Sequence, residues 1–220
     1  MRARELEIDG AFEFTPHIFR DNRGCVTSPF QEAVFIEAVG YPLFPVKQTT
    51  CSTSQRGVVR GVHFTAIPPG MAKYAYCPLG RVLDVIVDVR VGSPTFGRWE
   101  SVILDDQDCR AVYLPVGVGH MFISLRDGTV MNYVLSEAYV PANELALSPF
   151  DPDLALPIPS DVDAVLSDRD RNAPTVAGLQ EADLLPDYSK CLEVEAAFGG
   201  AVPVKDTSRT GAASRSAPFR

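Results

Sequence analysis

Long apolar runs are missing from this chain. The β-rich stretch Val82 to Val89 is interrupted by Asp84 and Asp88, and no segment approaches the roughly 20 apolar residues of a membrane span. The opening residues, Met1-Arg-Ala-Arg-Glu-Leu-Glu7, hold no signal-peptide apolar region, so a soluble cytoplasmic protein with no membrane partner is the expectation. Basic residues are outnumbered: 20 Lys and Arg face 28 Asp and Glu, a net charge of −8. That balance argues against a nucleic-acid polymer as partner but leaves room for a small basic pocket that takes a phosphorylated metabolite. Cys25, Cys51, Cys77, Cys109 and Cys191 form no CxxC pair, so five reduced thiols are expected and neither zinc nor a redox dithiol is supported. Nucleotide loops are absent, with no GxxxxGK[ST] and no GxGxxG between a strand and a helix. Histidine is scarce, with only His17, His63 and His120. Metal-binding β-helices usually offer His-x-His, a later Glu and a further His. Here Phe64 and Thr65 follow His63 and no acidic residue lies between His63 and Asp84, which argues against a metal.

What is present points to an all-β domain. Hydrophobic residues make up 46% of the 220, enough for a packed core, and 16 glycines with 18 prolines imply many turns. Along Val82–Arg90 the period is two: Leu83, Val85, Val87 and Val89 share one face, and Val82, Asp84, Ile86, Asp88 and Arg90 the other. Further strands are expected at Trp99–Leu104, Ala111–Leu114, His120–Leu125 and Val130–Leu135, with turns at Gly92–Gly97, Asp105–Asp108 and Arg126–Thr129. Short strands so spaced make an antiparallel sandwich or barrel that can hold one small ligand. Helix is expected only near Asp161–Leu166 and Val176–Leu185, with a turn near Gln31–Val39. The last stretch, 196–220, is rich in Ala, Gly and Ser. It carries Lys205, Arg209, Arg215 and Arg220 against Asp206 and is expected to be a flexible tail on a domain spanning 1–195.

Polar residues inside such a sandwich are the place to look for chemistry. His63 lies in Gly57-Val-Val-Arg-Gly-Val-His-Phe64, whose only polar members are Arg60 and His63. Strict alternation puts these two on opposite faces. If both serve one pocket, the strand must bulge or twist, and Gly61 is the natural place. His120 enters a strand after the Gly-rich turn Pro115–Gly119, and Tyr133 has an aliphatic residue on each side along its face. Arg23, Arg60 and Lys73 are the candidates to hold phosphates, since no phosphate loop exists. Taken singly, each of these residues suits a structural role as well as a functional one.

Together they resemble a known family. Asp21-Asn-Arg-Gly24, Arg60-Gly-Val-His-Phe64, Gly80–Arg90, Gly92-Ser-Pro-Thr-Phe-Gly97, Tyr113–Phe122, Met131-Asn-Tyr133 and Leu166-Ser-Asp-Arg-Asp170 occur in family order over roughly residues 10–190. They resemble the dTDP-4-dehydrorhamnose 3,5-epimerases, cupin-like sugar-nucleotide epimerases. Pro42-Leu-Phe-Pro-Val46, Ala72–Cys77 and Leu185-Pro-Asp-Tyr188 are similar to the branch found in antibiotic deoxysugar pathways. The resemblance implies a double-stranded β-helix, or jelly roll, with a few short helices. It implies a homodimer with no metal and no cofactor, acting on a dTDP-4-keto-6-deoxyhexose. By the same carry-over, His63 is the general base, Asp170 its orienting carboxylate and Tyr133 the acid on the opposite face of the sugar. Gln48, Arg60, Lys73 and His120 line the sugar and phosphate pocket. Arg23 contacts the nucleotide, often from the neighbouring subunit.

The residue types suit that chemistry. A ketone at C4 acidifies the C–H bonds at C3 and C5, because the carbanion delocalises as an enolate. Histidine is a base available near neutral pH, and a buried carboxylate on its other nitrogen fixes the tautomer. Inversion needs a separate donor on the other face, which Tyr133 supplies, and a cation such as Lys73 steadies the enolate oxygen. The sequence departs from the family pattern at Thr50, at Ser28 and in Val134–Tyr139, all pocket-side positions that bear on whether C3, C5 or both invert. The rival readings are a C3-only epimerase, a 3,4-ketoisomerase on a related dTDP-keto sugar, and a non-catalytic sugar-binding cupin.

Overall fold

A computed structural model describes residues 1–199. Thirteen strands form within them: β1 (Arg2–Glu5), β2 (Phe12–Thr15), β3 (Ile18–Asp21), β4 (Gly24–Thr27), β5 (Gln48–Ser54), β6 (Val59–Thr65), β7 (Lys73–Leu79), β8 (Arg81–Val87), β9 (Trp99–Asp105), β10 (Ala111–Leu114), β11 (Gly119–Ser124), β12 (Thr129–Leu135) and β13 (Glu144–Ala146). A six-stranded sheet runs β1-β2-β10-β7-β12-β5, and a five-stranded sheet runs β13-β6-β11-β8-β9. The β3–β4 hairpin stands apart from both. Pairing within the sheets and the hairpin is antiparallel throughout. This is the jelly-roll architecture expected from the period-two segments, and the five strands read from Val82 onward lie where that pattern puts them.

Three apolar layers explain why β8 is hydrophobic on both faces. Val82, Ile86 and Leu104 meet Ala75, Leu114 and Met131 between the sheets. Val85, Val87 and Met121 turn the other way and pack under Leu147, Leu154 and Leu179 from the chain beyond β13. On the outside of the six-stranded sheet, Phe14, Tyr74 and Tyr113 pack against Phe35 and Cys191. Removing such side chains from water at about 25 cal/mol per Å² drives the layers together. Below Val87 the strand ends in a buried ion pair, Arg90 Nη2 to Asp88 Oδ2 at 2.8 Å. The same carboxylate also accepts from Ser93 and Thr95, tying down the Gly92–Gly97 turn.

Four helices are described: α1 (Glu32–Val39), α2 (Asp168–Arg171), α3 (Val176–Glu181) and α4 (Tyr188–Gly199). The expected turn at Gln31–Val39 is a full helix, closed by left-handed Gly40, whose N–H donates to the Ile36 carbonyl. The expected helix at Asp161–Leu166 does not form. Val162, Ala164 and Leu166 pack at a period of two against the outer layer, and Val165 makes a parallel bridge to Val58. Extended backbone satisfies that alternation, whereas a helix would turn one of the three outward. The helix at Val176 ends at Glu181, short of Leu185. α4 was not anticipated. Asp187 accepts from the Lys190 N–H at its start, and Cys191, Val194 and Phe198 face the outer layer of the six-stranded sheet at helical spacing. α4 covers 196–199 of the expected tail, and residues 200–220 lie outside the described residues. No described helix is long and apolar enough to cross a membrane.

Candidate active site

The site begins with a fault in one strand. β6 and β11 pair His63 with His120 and Arg60 with Phe122, so Gly61 and Val62 together oppose Met121 alone. A bulge of this kind resets the alternation by one residue. Arg60 and His63 therefore both line the space between the sheets, as the Gly61 reading required. Gly61 has φ of 121°, and a Cβ there would run into the His120 carbonyl oxygen and lie 2.6 Å from the Met121 Cα. Only glycine permits the slip.

The resulting cavity has a volume of about 530 Å³. His63, Arg60 and His120 come from the five-stranded sheet, and Lys73 and Tyr133 from the six-stranded sheet opposite. Asp170 reaches the rim from α2. Ser167 caps this short helix by accepting from the Asp170 N–H at 3.1 Å, which sets the carboxylate toward β6. His63 Nε2 then donates to Asp170 Oδ1 at 2.6 Å, with the imidazole 28% exposed and the carboxylate 3%. Burial pushes the Asp170 carboxyl up, but the hydrogen bond and charge of His63, with further bonds from Ser167 and the Gly61 backbone, hold it below the usual carboxylate range. With Nε2 engaged, Nδ1 has no hydrogen-bond partner among the described residues.

A second imidazole–carboxylate pair lies beside the first. His120 Nε2 and Asp84 Oδ2 are 2.7 Å apart, and both side chains are buried. The His120 ring meets Tyr133 edge-on, centroids 5.9 Å apart. Burial pushes the Tyr133 phenol far above its ordinary value, and the Asp84 carboxylate adds to this. A tyrosine phenol is protonated at neutral pH in any case, so Tyr133 has a proton to give. Arg60 donates through Nε to Ser54 Oγ at 3.2 Å and through Nη2 to the Thr53 carbonyl at 3.3 Å, which fixes its guanidinium across to β5.

Of the eight residues singled out from the sequence, six line this cavity: Arg60, His63, Lys73, His120, Tyr133 and Asp170. Gln48 stands behind the rim. Its Nε2 donates to Thr50 Oγ1 and its Oε1 accepts from the Tyr139 N–H, both at 2.9 Å, and Thr50 and Tyr139 are the ones that face the cavity. Arg23 sits on the β3–β4 hairpin, 80% exposed and paired with Asp21, away from the cavity of its own chain. Sequence reasoning missed Asp84, Tyr139, Glu144 and Arg169. Arg169 adjoins Asp170 in a motif already noted, and Asp84 is a carboxylate on the inner face of a strand, a signal that was available. Glu144 carried none, since β13 has only three residues.

A family model described as dTDP-4-dehydrorhamnose 3,5-epimerase matches residues 5–178. The chain is 46% identical to a dTDP-4-dehydrorhamnose 3,5-epimerase of Mycolicibacterium smegmatis, over 87% of this chain and 94% of that one. Among solved structures it is similar to NovW, a 4-keto-6-deoxy sugar epimerase from the novobiocin gene cluster of Streptomyces spheroides. The TM-score is 0.83 at 46% identity, covering 87% of this chain and 95% of that one. It is also similar to ChmJ, a 3'-monoepimerase of Streptomyces bikiniensis solved with dTDP-quinovose. There the TM-score is 0.84 at 46% identity, covering 90% and 98%.

Proposed function

The chain belongs to the dTDP-4-dehydrorhamnose 3,5-epimerase family, and on that premise we propose how its cavity epimerises a dTDP-4-keto-6-deoxyhexose. His63 Nδ1 takes the proton from a carbon next to the C4 ketone, and the electron pair left behind delocalises onto the C4 oxygen. Asp170, already bonded to Nε2–H, steadies the imidazolium that forms. Lys73, from the facing sheet, stabilises the enolate oxygen. Tyr133 then delivers a proton to the other face of the carbon and inverts it. The observation that carries this reading is the placement of the His63–Asp170 pair on one wall and the Tyr133 side chain on the other. One residue doing both jobs would return the proton to the face it came from.

Arg60 and Arg169 give the mouth of the cavity the charge that a diphosphate needs, and His120 holds the sugar. Binding energy from the nucleotide end then serves the reacting carbons. The same proposal makes the protein a cytoplasmic homodimer. Arg23 is turned away from its own cavity on a hairpin whose paired Phe19 and Val26 are 71% and 69% exposed. Seating that hairpin on a second copy covers the apolar pair and brings Arg23 to the neighbour's nucleotide.

The test is product analysis. dTDP-4-keto-6-deoxyglucose is incubated with the protein and trapped by borohydride, and the coupling constants of the reduced sugars are read. Inversion at C3, at C5 or at both is the expected result and names the regiochemistry. Recovery of the unchanged gluco and galacto products alone would sink the reading. A carbonyl shifted to C3 would favour the ketoisomerase.

A further inference from the structure

Lys73 is a cation in an awkward place. It is the first residue of β7, its side chain is buried in the cavity wall, and it has no ion pair or side-chain hydrogen bond among the described residues. An ammonium taken out of water with no anion nearby loses its proton rather than bear the cost of desolvation. Three carboxylates stand around the cavity. Asp170 is bonded to His63, and Asp84 to His120. Glu144, on β13, is the one without a cationic partner. Its Oε1 accepts from Thr65 Oγ1 at 2.6 Å, across the β13–β6 pairing, and its second oxygen has no hydrogen bond among the described residues.

We propose that Glu144 is a positioning residue that keeps Lys73 charged inside the cavity. This rests on the epimerase reading for its purpose, since a neutral amine would not stabilise an enolate, but the coupling itself can be measured without turnover. The other charged or titratable groups facing the cavity are His63 and Arg60 on β6, His120 on β11, Tyr133 on β12, Tyr139 beyond it, and Arg169 and Asp170 at α2. Asp84 lies behind His120 on β8. Burial pushes the Lys73 ammonium down, Glu144 pulls it back up, and Arg169 adds to the fall. The Thr65 hydroxyl holds the carboxylate in place for this. Glu144 and Arg169 thus set the amine from opposite directions.

The experiment is amine acylation of the full-length protein with acetic anhydride, followed by mass spectrometry of each lysine peptide as pH is varied. Only the neutral amine reacts, so each unit of downward shift speeds labelling tenfold at a given pH. Glu144→Gln should label at Lys73 roughly tenfold faster near neutral pH, and Arg169→Gln should label more slowly. Glu144→Asp should return the rate toward wild type. Labelling at Lys47 and Lys190, both exposed, normalises the rates and reports intact folding. The alkaline limb of kcat/KM should move to lower pH in Glu144→Gln, because Lys73 then loses its proton earlier. Equal Lys73 labelling in wild type and Glu144→Gln, with the exposed lysines unchanged, would overturn the proposal. A labelling difference in a protein that epimerises nothing would leave the coupling standing and remove the reaction.

Discussion

His63–Asp170 and His120–Asp84 are the same chemical pair built twice on neighbouring strands, and their surroundings give them different work. The histidines sit directly opposite each other in the β6–β11 register. His63 is 28% exposed and its carboxylate arrives from a capped helix at the rim. His120 is 5% exposed, and Asp84, at 0%, comes from the adjacent strand β8. An imidazole that must exchange protons with a substrate needs an open nitrogen and a path to it. One sealed between strands holds the wall and presents a fixed contact. On the proposed mechanism, burial, more than residue type, separates the base from the scaffold.

The largest expected effect erases the comparison altogether. Gly61→Ala places a methyl group against the His120 carbonyl at a backbone angle that disfavours any side chain. A loss of more than about 4 kcal/mol is expected, through strain and backbone clash together. Urea unfolding would measure it, and a variant as stable as wild type would mean that β6 does not need the bulge. Next come the two alanine exchanges, which should move activity and stability in opposite order. His63→Ala should lower turnover by about 10²–10⁴-fold while costing less stability than His120→Ala, because truncating an imidazole that is 28% exposed lets water reach the Asp170 carboxylate. His120→Ala should strand Asp84 in the core at about 3–5 kcal/mol, yet leave measurable turnover. Thermal melts beside kinetic assays test the inversion. Equal profiles for the two variants would break the distinction.

Tyr133→Phe sharpens the roles within the first pair. Proton loss to His63 should continue, while inversion should fall about 100-fold for want of a donor on the far face. Deuterium uptake without change of configuration is the signature to seek. The smallest effect concerns acid stability. Because the folded Asp170 carboxyl is held below its ordinary value, its pairing stabilises the protein above the unfolded value of roughly 3.9. That contribution disappears as pH falls through the lower folded value. The melting temperatures of wild type and Asp170→Asn should therefore converge as pH drops below about 4. A constant gap would show that the pair adds nothing pH-dependent.

Of the first pair, His63 is legible in the residues and Asp170 only through the family resemblance; little of the second pair is legible at all. If Arg60 and His63 serve one pocket, a regular strand cannot present both, and Gly61 is the natural place for a bulge; the β6–β11 register slips there. His120 and Asp84 are 36 positions apart, and only the β11–β8 register brings them together. Asp84 looked like an interruption of an apolar strand because its partner is not local. Glu144 was hidden for the same reason, its role depending on where a three-residue strand docks. The fold shows the same limit. Strands with strict alternation are legible, but Val162, Ala164 and Leu166 alternate too, in a segment where helix is expected and extended chain forms. α4 was missed because its apolar positions run into an Ala- and Gly-rich end.

The most direct test of the central claim is proton NMR of dTDP-4-keto-6-deoxyglucose in D₂O with wild-type protein and with His63→Ala side by side. The account predicts deuterium at C3, C5 or both with wild type and none above background with His63→Ala. Incorporation at the wild-type rate in the variant would mean that another group, with His120 first in line, is the base. No incorporation in either, with folded protein and bound nucleotide, would contradict the enolate chemistry itself.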